Sequence, residues 1–385
     1  MFFPPDFFLA HNHNVIMLGG YRTGKSSLLA SMFSTLNQQS YFTVIDRTDC
    51  SKGALPLSHY KIGLKHYLHV RKTNSSFLVD SSPTFGVQNY QFEVRPLGVN
   101  KGVNLFINDY PGNFLEIRAE SLSQLVSRPD SDVFIITIDT PFAMQDDEDV
   151  NFVKNRIGDI SNLLMCNLNI NNQQDRKLII LCPLKCEYWI KRGLALSIVE
   201  KVKSMYKSLI EFCQNWSVET WIMPVQTVGG IEFSNMMPAK LFFRDEDDLQ
   251  GTSCSSYEDT GLIVLKDGTL IDADEAHRIE DDSDWVIEYT PIPLSWYRLN
   301  GDGYAPQWCE QPFYHILRFL VEKEENINNT VPAPVAPWDV NRQVAMKKLY
   351  SMPFGKMLPA YKSQILKMYQ ERKIKTSGDG FVRIC

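Results

Sequence analysis

The sequence predicts an α/β protein built on a mainly parallel sheet, with one antiparallel strand and helices on both faces. The runs Asp132–Thr140, Arg176–Leu184 and Glu219–Thr227 are almost continuously apolar, which is typical of parallel strands buried on both faces. Between these runs, apolar residues recur at helical spacing over Val150–Leu168 and Leu194–Trp216. Strands that alternate with helices in this way favour a parallel sheet covered on both sides.

The first elements that the sequence predicts are a strand, a glycine-rich turn and a helix. The apolar run VIML starts at Val15 and ends at Leu18, directly before Gly19, and helical spacing begins at Ser26. Further along, Tyr90–Pro96 and Val103–Asp109 are strand candidates separated by a turn-like segment. They predict a hairpin, which supplies the one antiparallel strand.

The order of these elements predicts a main domain over residues 1–328 and a C-terminal helical segment over 338–385. Two stretches without a clear period, at about 38–82 and 233–311, are predicted insertions, and the second is acidic and rich in turn residues. Residues 312–325 have the spacing of an amphipathic helix that returns to the sheet.

Composition limits the class of protein. The net charge of −6 argues against nucleic-acid binding, which needs a surplus of Lys and Arg. The longest apolar runs are far shorter than the roughly 20 residues of a membrane-spanning helix. The start, MFFPPDFFLA, has no basic region and carries prolines, so it does not resemble a secretion signal. The eight scattered cysteines are expected to be reduced, in a cytoplasmic protein.

The segment GGYRTGKS fits the phosphate-loop pattern G-x-x-x-x-G-K-[ST] and lies between a predicted strand and helix, as that pattern requires. Glycines allow backbone N–H groups to turn toward an anion, and the helix presents its positive N-terminus. Lys25 is expected to bridge the β and γ phosphates, and Ser26 to offer its hydroxyl to Mg²⁺. The residues predicted to bind the nucleotide here are Gly19, Gly20, Tyr21, Arg22, Thr23, Gly24, Lys25, Ser26 and Ser27.

Two further segments are expected to meet the γ phosphate and the metal. Asp109 ends a predicted strand and is followed by Gly112, in the pattern D-x-x-G. The carboxylate is predicted to accept from a Mg²⁺-bound water and the glycine N–H to contact the γ phosphate. Thr84, before the hairpin, is predicted to close over the metal. The predicted metal site is therefore Ser26, Thr84 and Asp109.

A third motif is expected to recognise the base. Lys185 and Glu187 follow a buried strand, where the sequence N-K-x-D would mark guanine binding. Lys185 is predicted to lie along the base and Glu187 to accept from two guanine N–H groups. The loop after the following strand, including Thr227 and Val228, is predicted to meet the base through backbone N–H groups.

This ordered set of motifs, GGYRTGKS, PTFG, DYPG, LKCE and VQTVGG, resembles a Ras-like P-loop GTPase. It is most similar to the bacterial double-GTPase group associated with conflict and defence gene clusters, over roughly Val15 to Lys323. The resemblance implies a Ras-like fold, bound GTP or GDP with Mg²⁺, and slow GTP hydrolysis that switches a partner, which would be a second GTPase or an effector.

The resemblance also implies catalytic roles for Lys25, Thr84, Gly112 and Asn113. Many hydrolysing members have a Gln at the position of Asn113, and Asn is shorter by one methylene, so intrinsic turnover is expected to be slow. Tyr21 and Arg22 are also bulkier than usual for this loop.

Two other functions fit the same residues. One is an ATPase or another P-loop phosphotransferase, because only the base motif separates it from a GTPase. The other is an interaction module that binds nucleotide with little or no hydrolysis and docks partners through its acidic insertion and C-terminal helices.

Overall fold

The computed structural model describes residues 12–20, 22–36, 41–49, 56–58, 61–62, 65, 77–78, 87–100, 102–112, 114–128, 130–145, 147–168, 176–237, 240–243, 254–257, 262–264, 270–272, 286–289, 294–330 and 354–385. The strands in chain order are β1 (Asn12–Leu18), β2 (Phe42–Asp46), β3 (Phe77–Leu78), β4 (Gln88–Pro96), β5 (Val103–Asp109), β6 (Ser131–Asp139), β7 (Leu178–Leu184), β8 (Glu219–Ile222), β9 (Gly229–Met237), β10 (Lys240–Phe243), β11 (Cys254–Tyr257), β12 (Leu262–Val264), β13 (Leu270–Asp272), β14 (Val286–Tyr289), β15 (Leu294–Tyr304) and β16 (Val382–Arg383). The helices are α1 (Lys25–Leu36), α2 (Phe114–Ile117), α3 (Ala119–Val126), α4 (Thr140–Ala143), α5 (Glu148–Asn155), α6 (Ile157–Asn167), α7 (Glu187–Lys191), α8 (Ala195–Met205), α9 (Lys207–Asn215), α10 (Gln311–Thr330) and α11 (Phe354–Gln370).

The main sheet has eight strands in the order β16-β8-β7-β6-β1-β5-β4-β2. The central strands β5, β1, β6, β7 and β8 are parallel neighbours. The predicted hairpin pairs β4 with β5 in antiparallel register. The predicted fold class, α/β with a mainly parallel sheet and helices on both faces, is confirmed.

Alternate residues of the central strands face two different cores. In β1, Val15 and Met17 belong to one cluster, whereas Ile16 and Leu18 belong to the other, because successive strand residues point to opposite faces. Helices α1, α10 and α11 cover the first face, and α3, α6, α8 and α9 cover the second. Burial on both sides explains the continuous apolar runs from which the parallel strands were predicted.

Two strands extend the sheet beyond the predicted set. Strand β2, inside the predicted insertion at 38–82, pairs with β4, and β16 pairs antiparallel with β8. Strands β4 and β16 both run antiparallel to the central strands, whereas the sequence predicted one antiparallel strand. Strand β16 was missed because it has two residues, too few to show a period. The division of the chain into residues 1–328 and 338–385 stays a prediction.

The last described helix joins the main core. Met357, Tyr361 and Met368 of α11 are buried with residues of α1 and α10 in one cluster. The hydroxyl of Tyr361 accepts from the N–H of Val103 at 2.9 Å and donates to the carbonyl of Val94. The helix therefore packs at the turn end of the hairpin, where Val94 of β4 is paired with Val103 of β5.

Two predicted helices are each divided in two. The stretch 150–168 forms α5 and α6, which meet at Arg156 in a left-handed conformation with φ of 52°. The stretch 194–216 forms α8 and α9, which meet at Tyr206. The break between α8 and α9 was not visible in the spacing of apolar residues, because the same face stays buried across it. In α5, by contrast, the apolar side chains of Phe152 and Val153 are about half exposed, so apolar spacing did not report burial there.

Two smaller sheets are formed mostly by the predicted second insertion. Strands β9 and β15 pair antiparallel, with β3 on the other side of β15. Strands β13, β12, β11, β10 and β14 form a five-stranded antiparallel sheet. Strand β9 begins directly after the loop that was predicted to meet the base.

Candidate nucleotide site

The predicted phosphate loop connects β1 to α1, and its glycines are required by close contacts. Gly19 has φ of +151° and Gly24 has φ of +103°, values that side chains rarely tolerate. A Cβ on Gly19 would lie 2.1 Å from the hydroxyl oxygen of Thr137, and one on Gly20 would lie 1.9 Å from the carbonyl oxygen of Lys154. The loop is therefore held between β6 and the end of α5.

The side chain of Thr23 fastens the loop to the neighbouring strand. Its hydroxyl donates to the carbonyl of Gly20 at 3.1 Å and lies 2.7 Å from the hydroxyl of Thr137. Thr137 also reaches the carbonyl of Leu18 at 3.2 Å. Sequence reasoning missed Thr137, although it is a polar residue within an otherwise apolar strand.

Lys25 is the first residue of α1, and its ammonium group is folded onto the loop. It donates to the carbonyls of Gly19 at 3.1 Å and Gly20 at 2.9 Å. An ammonium group has three donors, so one more is available to a phosphoryl oxygen. Burial lowers the pKa of Lys25, while the charge of Asp109 opposes that shift. An anion bound here would stabilise the charged lysine.

Asp109, at the end of β5, comes directly beside the start of α1. Its Oδ2 accepts from the hydroxyl of Ser26 at 2.7 Å, and its Oδ1 is buried without a hydrogen-bond partner among the described residues. Burial raises the pKa of Asp109, and Lys25 and Ser26 oppose that shift. A buried carboxylate oxygen with an unmet bonding capacity is a fitting ligand, directly or through water, for a small hard cation.

The residues beside this centre fit a magnesium ion. A hydroxyl and one carboxylate, completed by waters and phosphate oxygens, are the usual protein contribution to a nucleotide-bound Mg²⁺. Within the part of the chain that the structure describes, no group of three or more His, Cys, Asp and Glu side chains is placed to hold a metal. Ser27 follows Ser26 in the first turn of α1 and is buried.

Three of the predicted site residues, Tyr21, Thr84 and Asn113, lie outside the described residues. Gly112 is described and buried in the turn that follows β5. The predicted roles of these four residues stay predictions.

Lys185 connects the predicted base motif to the phosphate loop. It follows β7 in a left-handed conformation with φ of 58°. Its ammonium group donates to the carbonyl of Arg22 at 2.9 Å and to Oδ2 of Asp139 at 2.6 Å. The loops that were predicted to bind the phosphates and the base are therefore joined by one side chain.

Asp139, the ion-pair partner of Lys185, was not identified from the sequence. It ends β6 and is fully buried, and its Oδ1 has no hydrogen-bond partner among the described residues. Asn155 at the end of α5 holds its backbone, because the Asp139 N–H donates to Asn155 Oδ1 at 2.7 Å. An acidic residue at the carboxyl end of an apolar strand was the signal available in the sequence.

Glu187 begins α7 and is turned toward the predicted base loop. The N–H of Gly229 donates to its Oε1 at 3.3 Å, and its Oε2 is buried without a partner among the described residues. Burial raises the pKa of Glu187, while amides that include those of Val228 and Gly229 oppose that shift. Thr227 and Val228 are buried, and the hydroxyl of Ser31 donates to the carbonyl of Thr227 at 2.7 Å.

The structure thus brings Lys25, Ser26 and Asp109 together at one centre. Lys185 contacts the phosphate loop at the carbonyl of Arg22. Glu187 lies against the loop of Thr227 and Val228, where it accepts from the N–H of Gly229. No helix in the described segments is long and apolar enough to cross a membrane.

No protein-family model matches this chain, and no curated protein matches it either. Two similar solved structures are those of the S. cerevisiae Ski7 GTPase-like domain, one bound to GTP and the other to GDP and inorganic phosphate. Each is 12% identical to this chain and covers 77% of it and 72% of its own length, with TM-scores of 0.37 and 0.36. The α/β architecture of this chain is shown by its own strand order.

Proposed function

We propose that this protein is a Mg²⁺-dependent, GTP-binding and GTP-hydrolysing switch that acts on a partner protein in the cytoplasm. The observation that carries the proposal is the meeting of Lys25, Ser26 and Asp109 at the phosphate loop. Lys25 places its ammonium group against the loop carbonyls. Asp109 accepts from the Ser26 hydroxyl and has one buried oxygen without a partner among the described residues. A nucleoside triphosphate with its metal would satisfy each of these groups.

The phosphate loop would bind the phosphates through its backbone N–H groups and the N-terminus of α1. Lys25 would contact the β and γ phosphates, and Ser26, Asp109 and Thr84 would hold Mg²⁺. When bound, Mg²⁺ supplies charge neutralisation at the phosphoryl oxygens. Lys25 is positioned for its role by the carbonyls of Gly19 and Gly20, which leave one donor for the ligand.

The base would be bound between Lys185 and the loop of Thr227 and Val228. Glu187 Oε2 would accept from the N–H groups on the edge of guanine, since a carboxylate can accept from two donors. Adenine presents a different pattern on the same edge, so Glu187 favours guanine in this proposal. The contact of Lys185 with Arg22 would keep the base and phosphate subsites at a fixed separation.

Hydrolysis would add water to the γ phosphorus and break its bond to the β–γ bridging oxygen, leaving GDP and inorganic phosphate. Asn113 stands where a longer Gln is usual, which supports slow intrinsic turnover. Ordering of the Thr84 and Gly112 segments by the γ phosphate would create the surface that a partner reads. The motif order supports a place in the double-GTPase group of defence gene clusters, in which that partner is a second GTPase or an effector.

A thermal-shift titration tests the proposal. GTP and GDP with Mg²⁺ should raise the melting temperature by several degrees, because a ligand at about 100 times its Kd stabilises a native protein by about 2.7 kcal/mol. ATP should have a much smaller effect. Lys203→Ala, which alters an exposed lysine in α8, should respond like the wild type.

Other outcomes separate the alternatives. An equal response to ATP and GTP would favour an ATPase or another phosphotransferase. If GTP raised the melting temperature but no phosphate was released over many hours, the alternative of an interaction module that binds nucleotide without hydrolysis would be favoured. No response to any nucleotide would contradict nucleotide binding altogether.

A further inference from the structure

The proposed base loop is held by hydrogen bonds to three successive carbonyl groups. The carbonyls of Gln226 and Val228 accept from backbone N–H groups in the segment 305–307, which follows β15, at 2.9 and 2.8 Å. The carbonyl between them, that of Thr227, accepts from the hydroxyl of Ser31 at 2.7 Å. The middle of the loop is therefore held by a side chain of α1, the helix that follows the phosphate loop.

The Thr227 carbonyl and the Val228 N–H belong to the same peptide group. A trans peptide group is planar, so its carbonyl and its N–H point in opposite directions. A hydrogen bond that fixes the carbonyl therefore also fixes the direction of the N–H. In the proposed function this N–H meets the base, so the group that holds the Thr227 carbonyl controls the geometry of that contact.

A second hydroxyl lies beside that of Ser31. The hydroxyl of Tyr304, the last residue of β15, is 2.8 Å from it. A serine hydroxyl has one proton, and the carbonyl of Thr227, which can only accept, takes that proton. Tyr304 therefore donates to Ser31, and Ser31 donates to Thr227. Burial raises the pKa of Tyr304 to about 12, with the hydrogen bond to Ser31 opposing, so the first donor keeps its proton at neutral pH.

Both hydroxyl groups are held in place by packing. Tyr304 is in register with Gly229 of β9, and its ring packs against the small buried cluster that contains Val228 and Ile231. Ser31 is fully buried within α1. The two hydroxyls therefore form a fixed chain of hydrogen bonds from the second predicted insertion, through α1, to the base loop.

We propose that Tyr304 and Ser31 are positioning residues for base recognition: their hydroxyl chain holds the peptide between Thr227 and Val228 so that its N–H points toward the base. The inference rests on the proposed function, because it takes this loop as the base site. It gives the second predicted insertion, through the last residue of β15, a task in nucleotide affinity beyond packing.

The chemistry of the bases sets the choice of ligands. Guanine and hypoxanthine both carry an exocyclic oxygen where adenine carries an amino group, and an N–H can donate only to the oxygen. A misdirected Val228 N–H should therefore weaken GDP and IDP together. ADP lacks that oxygen and tripolyphosphate has no base, so the affinity of both should stay the same.

The test is the substitution Tyr304→Phe, which removes the first donor of the chain and keeps the ring. Dissociation constants with Mg²⁺ should be measured for GDP, IDP, ADP and tripolyphosphate by isothermal titration. Tyr304→Phe should weaken GDP and IDP about fivefold, which corresponds to about 1 kcal/mol. Equal weakening of all four ligands would reveal a general loss of structure and would overturn the inference, as would four unchanged constants.

Ser31→Ala removes the middle of the chain. Alanine is the most favourable residue in a helix, so α1 should still form, and this variant carries the test alone if Tyr304→Phe does not fold. It should weaken GDP about tenfold, or about 1.4 kcal/mol. The double variant should bind GDP as well as Ser31→Ala does, because Tyr304 acts through Ser31. Additive losses would contradict the chain.

Tyr314→Phe is the matched control. Tyr314 in α10 is also buried, and its hydroxyl has no hydrogen-bond partner among the described residues. It belongs to the core cluster of α1 and α11, so its substitution should leave all four constants as in the wild type. A loss of GDP affinity equal to that of Tyr304→Phe would mean that removing any buried tyrosine hydroxyl has this effect, and the inference would fail.

The design separates the two levels of the proposal. If the wild type prefers GDP to ADP and both Tyr304→Phe and Ser31→Ala keep that ratio, the inference fails while the proposed function stands. If the wild type has no preference for GDP, the proposed guanine site fails, and the inference fails with it.

Discussion

The hydroxyl of Ser26 donates to Oδ2 of Asp109 at 2.7 Å across a separation of 83 residues. Ser26 is the second residue of α1, the helix after the phosphate loop, and Asp109 ends a strand that lies beside β1 in parallel register. Parallel pairing brings the end of β5 to the same sheet edge as the end of β1. Two motifs that are distant in the sequence thereby form one candidate metal centre.

The substitution Asp109→Asn should remove the magnesium dependence of nucleotide binding. An amide oxygen can still accept from the Ser26 hydroxyl, so the loop should keep its shape, but the charge that attracts the cation is lost. GTP affinity with Mg²⁺ should fall to the value measured in EDTA, which isothermal titration can determine. Without nucleotide the variant should be at least as stable as the wild type, because burial disfavours the Asp109 charge.

Glu200→Gln is the matched control for that substitution. It also neutralises one carboxylate, but Glu200 is an exposed residue paired with Lys203, and its effect should be small. If Asp109→Asn bound GTP with an unchanged dependence on Mg²⁺, Asp109 would not be a metal ligand.

Lys25→Ala should weaken GTP and GDP by at least about a hundredfold, or roughly 3 kcal/mol. The ammonium group donates to the carbonyls of Gly19 and Gly20. Fluorescence titration with a labelled guanine nucleotide measures the loss. Lys203→Ala serves as the control, and equal affinity in both variants would refute the proposed role of Lys25.

Replacing Lys185 alone should destabilise the fold more than replacing Lys185 and its ion-pair partner Asp139 together. Lys185→Met leaves the fully buried Asp139 without its ion pair, at a cost of about 3 kcal/mol or more. The double variant Lys185→Met with Asp139→Asn should recover much of that loss. Urea unfolding without nucleotide gives the free energies of unfolding.

An exposed ion pair provides the comparison. Arg128 and Asp130 have side chains that are 53% and 37% exposed, and Arg128→Ala should change the free energy of unfolding by less than about 1 kcal/mol. If the double variant at Lys185 and Asp139 had no higher free energy of unfolding than Lys185→Met, the unpaired Asp139 carboxylate would not be the cause of the destabilisation.

His315 should make the fold less stable as the pH falls from about 6.5 to about 4. Burial lowers its pKa from 6.5 to about 4, with Arg318 and Arg383 adding to the shift and Glu219 and the Lys375 carbonyl opposing it. In this window the unfolded chain binds a proton that the folded protein does not. The free energy of unfolding should therefore lose about 3 kcal/mol as the pH falls.

Urea unfolding at pH 7 and at pH 4.5 can test this on the wild type and on His315→Gln. The variant has no titrating group at this position, so its free energy of unfolding should fall less between the two pH values. Parallel losses in both proteins would mean that other groups control acid stability.

The apolar strands, the phosphate loop and the strand-end aspartate were all predictable, because each depends on residues close together in the sequence. Continuous apolar runs reflect burial on two faces, and Gly19 and Gly24 belong to a short pattern between a strand and a helix that can be read locally. For the same reason Lys25, Ser26 and Asp109 could be chosen as candidates before their contact was known.

Contacts between distant segments were decided by the tertiary structure alone. Thr137 and Asp139 lie beside the phosphate loop because parallel pairing places β6 beside β1, and β15 contacts the segment after Val228 because it pairs antiparallel with β9. No local pattern encodes these distances, since a hydrogen bond or an ion pair depends on positions that the whole chain must fix. The sequence by itself determined the chemistry available at each motif, and folding determined which of those groups meet.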